Sequence, residues 1–168
     1  MSEVQQPSGD KQRKGISDEA RRVERETATS ALAQRMAADA WGWIFYLIGV
    51  PTAILAAVAG AAALVDHKNV AAGLALGAAV TSALTTFMKP GEQAKEHRRA
   101  STDYRAVENK AREFWKVQCV GQASTQELQH RLESLISEWN DADTQAPHVV
   151  SRLYRKAKES VTDDPKYR

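Results

Sequence analysis

No charged residue occurs between Ala40 and Val65, and after Asp66-His67-Lys68-Asn69 a second uncharged stretch runs from Val70 to Met88. A helix rises about 1.5 Å per residue, so the two stretches reach roughly 39 Å and roughly 28 Å. The hydrocarbon core of a bilayer is about 30 Å thick and takes about 20 residues to cross. The pattern predicts a transmembrane hairpin: helices over 40–65 and 70–88, joined by an external turn at 66–69. Two buried helices of a soluble protein are the competing reading, favoured by the Ala content of eight in the first 26 residues and six in the second 19. A chain of 168 residues has little other protein with which to surround two fully apolar helices. Trp41, Trp43 and Tyr46 also open the first stretch with rings that favour the headgroup level. A cleaved signal peptide is not expected, because about forty mostly polar residues precede the first stretch and a second follows it.

Outside the hairpin the apolar positions recur every three or four residues, and no strand alternation or internal repeat is present. Residues 1–16, with Pro7, Gly9 and Gly15 among charges and amides, read as a disordered tail. Ser17 before Asp18 and Glu19 reads as a cap for a helix over 17–39. Its stripe of Ile16, Ala20, Val23, Thr27 and Ala31 is thin and predicts docking on other helices. Pro90-Gly91 marks the exit from the second apolar stretch. A helix follows, with Ala94, His97, Ser101, Tyr104, Val107, Ala111, Phe114 and Gln118 on one face and Gly121 at its end. Ser124 and Glu127 have capping-box spacing ahead of Leu128, Leu132, Leu135, Ile136 and Trp139. Asn140 to Pro147 reads as a turn; Val149, Val150, Leu153, Tyr154 and Ala157 predict a last short helix, and 163–168 a polar tail. The expected fold is all-α: a two-helix transmembrane hairpin joined to a cytoplasmic helical bundle at 89–162.

Charge sets the orientation. Arg25 and Arg35 flank the hairpin on one side, and Lys89, Lys95, Arg98, Arg99 and Arg105 on the other, so both termini are expected in the cytoplasm. The net charge of +2 is too even for a nucleic-acid surface. The single Cys119 fits a reducing compartment and reads as a buried structural thiol.

Within the apolar stretches small residues repeat every four positions: Gly49, Ala53, Ala57 and Ala61 on the first, Gly73, Gly77 and Thr81 on the second. Close backbone approach supplies much of the attraction between helices in lipid. One such stripe suffices to zip the hairpin; two leave a surface for neighbouring copies. Ser82, Thr85 and Thr86 are the candidate pore-lining hydroxyls, although hydroxyls also bond back to their own helix. Neither run holds a charge, which argues against a proton pump or voltage sensor.

No catalytic, cofactor or metal site is expected. His67, His97, His130 and His148 show no ligand spacing, and Asp141 with Asp143 reads as a solvated turn. His97, Tyr104, Phe114, Trp115, Leu132, Trp139 and Tyr154 read as core or interface residues of the bundle. Arg98, Arg99, Arg105 and Arg112 read as solvated charges.

The run Phe87-Met88-Lys89-Pro90-Gly91-Glu92-Gln93-Ala94, with His97-Arg98, Ala100 and Tyr104 beyond it, resembles the SLATT superfamily of small bacterial two-transmembrane-helix proteins. Pro147 with Val149, Tyr154 and Ala157 is similar to that family's closing helix, and the resemblance covers about residues 17–160. It departs in the Ala-rich first apolar helix. The resemblance implies an inner-membrane effector of nucleotide-regulated anti-phage systems. Such an effector works as a homo-oligomer that forms a pore or perturbs the bilayer, and a sensor or nucleotide-producing enzyme activates it. Lys89-Pro90-Gly91 is the candidate coupling joint, or simply a helix break. The alternative function is a non-conducting adaptor whose hairpin anchors and whose bundle recruits a cytoplasmic partner. A hydrolase using Cys119 or His97 would need a cleft that brings a base to the nucleophile.

Overall fold

The computed structural model describes residues 6–65, 67–121 and 123–167, so Asp66 of the expected turn lies outside the described residues. The fold is all-α, with two long apolar helices and further helices forming a bundle. Helix α1 spans Gln6–Leu64, α2 Lys68–Met88 and α3 Pro90–Glu113, which a π-helical turn extends over Phe114–Gln118. Helix α4 spans Thr125–Gln145 and α5 Ser151–Asp163, before a 3₁₀ turn at Pro165–Tyr167. The chain divides into two compact units, 6–36 with 97–167, and 37–96.

The bundle unit forms because the predicted stripes meet. Ile16, Ala20, Val23, Thr27 and Ala31 of α1 are all buried, as are Val107, Ala111 and Phe114 of α3 and Leu128, Leu132 and Leu135 of α4. Trp115, Cys119, Ile136 and Trp139 pack partly buried against that core. Helix α5 adds Ala157 and Val161, both buried, while Val150 at its start is exposed. The Ser101 hydroxyl donates to the Ala31 carbonyl at 2.8 Å, tying α3 to α1 at a point where small side chains let them approach.

Four boundaries differ from expectation. The first helix does not start at a Ser17 cap: it is already helical at Gln6, so 6–16 is not a disordered tail. The Arg13 guanidinium donates to the carbonyls of Gly121, at 3.0 Å, and Ala123. Ile16 enters the core, so long-range contacts hold a segment whose composition alone would not. The turn expected over 140–147 is shorter, because α4 continues to Gln145 and keeps Asp141 and Asp143 helical. The tail after 163 is docked: the Tyr167 hydroxyl donates to Glu108 at 2.8 Å.

Finally, Pro90 by sequence is expected to kink the chain rather than stop it, and the helix breaks there instead. Lys89 caps α2 in the left-handed conformation (φ 44°, ψ 50°), and Pro90 is the first residue of α3. Proline suits that first position, where its missing N–H has no helical partner to lose. At the α4 start the Ser124 hydroxyl accepts from the Glu127 amide at 3.2 Å. The reciprocal half of the box is unused, since the Glu127 carboxylate binds Arg131 at 2.7 Å.

Candidate functional site

In the unit of residues 37–96 both apolar helices are long and apolar enough to cross a membrane by length and composition. Only 6% of the most apolar 18-residue window of each is buried. The core helix of a soluble monomer would be mostly buried, so these helices leave their apolar surface unspent within the chain. The half-buried positions of α1 are Trp41, Gly42, Ile44, Ile48, Gly49, Thr52, Leu55 and Ala62, with Ala59 buried. Those of α2 are Ala71, Leu74, Gly77, Ala78, Thr81 and Thr85, all half-buried.

The small-residue stripe is therefore split. A methyl group added at Gly77 would stand 3.9 Å from Leu55 Cδ1, whereas one added at Gly49 or Gly73 would meet nothing within 4 Å. Ala53, Ala57 and Ala61 are exposed. The α1 stripe does not zip the hairpin; that face belongs to larger side chains. Thr81 bonds back to the Gly77 and Ala78 carbonyls, Thr85 to Thr81 at 2.9 Å and Thr86 to Ser82 at 3.0 Å. Each of these hydroxyls spends its proton on its own helix, and Thr85 is half-buried rather than on an outer face. Gly91 of the predicted joint lies near Phe45, with 3.8 Å between its would-be Cβ and Phe45 Cδ2.

In the bundle unit the polar side chains form two linked sets. The Gln34 amide nitrogen donates to the Pro147 carbonyl at 2.9 Å, and its oxygen lies 2.6 Å from His97 Nδ1. A carbonyl can only accept, so the amide orientation is fixed and Nδ1 of His97 must carry the proton. Gln34 of α1 thus bridges the buried His97 of α3, 3% exposed, to the α4–α5 connection. Beside it the Tyr104 hydroxyl donates to Asp143 at 2.8 Å. Burial, then that carboxylate, pushes the Tyr104 hydroxyl far above its ordinary range. Asp143 is thus an exposed acceptor near the end of α4, helical rather than in a turn. Gln34, Pro147, Tyr104 and Asp143 border an open cleft of about 600 Å³ that also touches Tyr154, Arg155 and Lys158.

The second set is built on two buried acids, Glu24 and Glu108, that no motif or spacing rule singles out. Glu24 accepts from Arg112 Nε and from Trp115 Nε1, both at 2.6 Å. Glu108 accepts from Arg112, from Lys166 at 3.2 Å and from Tyr167 at 2.8 Å. Burial would raise the Glu108 carboxyl, but the Tyr167 hydroxyl, Lys166 and Arg112 outweigh it and hold it below its ordinary value. Arg112 is therefore not a solvated charge; it joins α1 to α3. The available signal was positional: Glu24 follows Val23 on the buried stripe, and Glu108 sits four residues before Arg112.

Cys119 is half-buried, and burial pushes its thiol up, which leaves it protonated and a poor nucleophile at neutral pH. Among the described residues no group of three or more His, Cys, Asp or Glu is placed to hold a metal ion. Trp139 packs on the core with Arg22 5.5 Å from its ring centroid. Compared with protein-family models, curated proteins and solved structures, the chain matches none.

Proposed function

We propose that this chain is a membrane effector of the SLATT kind. It inserts through the hairpin of α1 and α2 into a prokaryotic inner membrane, with both termini cytoplasmic. It assembles with copies of itself and permeabilises or perturbs the bilayer when a signal repacks its helical bundle. A sensor or nucleotide-producing enzyme of an anti-phage system supplies that signal. The observation that carries the reading is the outward apolar surface of residues 37–96, in which Trp43, Leu47, Leu76 and Phe87 are 67–88% exposed. The outward small-residue face of Ala53, Ala57 and Gly73 supports assembly, because it offers other helices close backbone approach. Lys89, with the only positive φ of any non-glycine among the described residues, supports a joint at 89–91.

One observation favours the adaptor instead. The threonine hydroxyls at the end of α2 are bonded to their own backbone and supply little to a water path. Dye efflux from liposomes separates the two readings. Steep, protein-dependent release that is lost in Ala57→Leu/Gly73→Leu supports the effector, since neither substitution meets the chain's own hairpin face. Insertion without release at any protein density, in the presence of the bundle's activating partner, leaves the adaptor.

A further inference from the structure

A second recess in the bundle unit, of about 350 Å³, lies between the start of α1 and the π-helical turn after α3. Four cations line it, Arg13, Lys14, Arg21 and Lys116, against one carboxylate, Asp18. Residues of the π turn and just beyond it form one side of the recess. The wide ring of the turn closes from the Cys119 amide to the Phe114 carbonyl at 3.0 Å and brings Trp115, Lys116 and Cys119 to one rim.

Two of the cations gather at one ring: the Arg21 guanidinium carbon is 4.4 Å, and Lys116 Nζ 5.2 Å, from the Trp115 centroid. Arg13 is held in place by the Gly121 and Ala123 carbonyls, which take its N–H groups but leave its charge uncancelled. The Glu24 carboxylate at the indole nitrogen is already matched by Arg112. The thiol of Cys119 adds no negative charge, since burial holds it protonated. Like charges gathered in a concave site focus the field and concentrate counter-anions there.

We propose that this recess binds a small polyanion, a ligand carrying two or more phosphate or carboxylate charges, with Arg21 as the fork, Arg13 as a fixed positive charge and the exposed Lys14 and Lys116 as clamps. Arginine forks suit such oxyanions geometrically, and lysine ammonium groups act on them as point charges. Binding would fasten the start of α1 to the π turn.

Inorganic pyrophosphate is the probe, titrated calorimetrically at fixed ionic strength into the full chain in nanodiscs of neutral lipid. The expected result is saturable one-to-one binding that weakens about tenfold in Lys14→Gln/Lys116→Gln. Both lysines are exposed, so the variant keeps its fold, checked by an unchanged melting temperature. A control, Arg98→Gln/Arg99→Gln, removes two exposed cations elsewhere and should bind as the wild type does. Alkylation of Cys119 by neutral iodoacetamide locates the ligand: pyrophosphate should slow it in the wild type and not in the lysine variant. A parallel arm in nanodiscs containing acidic lipid asks whether headgroups supply the anion, in which case they compete with pyrophosphate and slow alkylation themselves. No saturable binding, equal weakening in both double variants, or unprotected Cys119 would overturn the proposal.

Discussion

In the bundle, residues 6–36 with 97–167, most large apolar side chains point inward: Val23, Val107, Phe114 and Leu128 are 0–4% exposed, and Val117, Val120 and Val150 are outward exceptions. In the unit of residues 37–96, Trp43 is 69% exposed, Leu76 68% and Phe87 88%, although the periodic pattern is equally helical. Burial of apolar area is worth about 25 cal/mol per Å². The bundle collects that gain inside the chain, where it offsets the entropy of ordering several short helices. The other unit leaves the gain to be collected from outside, from lipid or from other copies. The same side-chain type therefore has opposite meanings in the two units, and substitutions should separate them.

The largest separation is expected at paired leucines. Leu128→Ala should cost the bundle about 3 kcal/mol, the cavity and transfer cost of a fully buried leucine, read by denaturant unfolding of the protein in micelles. Leu76→Ala, at an exposed position, should stay within about 0.5 kcal/mol. Leu76→Arg then asks what the exposed surface is for. A central arginine opposes insertion by about 3 kcal/mol, so the carbonate-resistant membrane fraction should fall. If α2 faced water, that substitution would change nothing, and the contrast between the units would collapse.

Next in size is the buried ionic set. Glu24→Ala strips Arg112 and the Trp115 indole of a shared acceptor and should cost about 3 kcal/mol. Glu108 adds a pH signature. Its carboxyl is held below the ordinary value of 4.5, so its stabilisation is complete above that pH and is lost as pH falls through the lower folded-state value. Wild-type stability should therefore drop more steeply in acid than that of Glu108→Gln, seen in denaturant midpoints at pH 7 and across the acid range. Parallel acid arms would remove Glu108 from the account.

These two cases also mark how far the sequence could be read. The break between the two apolar helices, the end of the second at Met88, the α1 stripe and the Ser124 cap follow from composition and period, because local physics decides them. Glu24 and Gln34 are silent in the sequence and Asp143 reads there as part of a turn, because their partners Arg112, His97 and Tyr104 lie 88, 63 and 39 residues away. The helical start at Gln6 was hidden for the same reason, since Arg13 reaches carbonyls more than 100 residues on. The outward turn of the α1 stripe could not be read either. A four-residue spacing of small residues defines a face of a helix but not which neighbour that face meets.

The cap at Ser124 sharpens the bundle side of the comparison at a smaller scale. Ser124→Ala removes the acceptor for the Glu127 amide and should cost about 1 kcal/mol in denaturant unfolding. Glu127→Gln should cost only a few tenths, because its carboxylate serves an exposed i,i+4 pair with Arg131 rather than the cap.

A last effect has the opposite sign and falls at the break between α2 and α3. A side chain in the left-handed region costs about 1–2 kcal/mol, and Lys89 bears that cost at φ 44°. Glycine removes the steric term while returning part of the gain through the greater freedom of the unfolded chain. It also removes the Lys89–Glu92 ion pair at 3.2 Å, whose partners are 61% and 62% exposed, so that loss is small. Lys89→Gly should therefore raise stability by about 0.5–1 kcal/mol, and Lys89→Val should lower it, because a β-branched residue tolerates that conformation worst. Melting temperatures of the two variants in the same micelles decide the matter. If glycine destabilises as valine does, the ion pair rather than backbone strain governs the break.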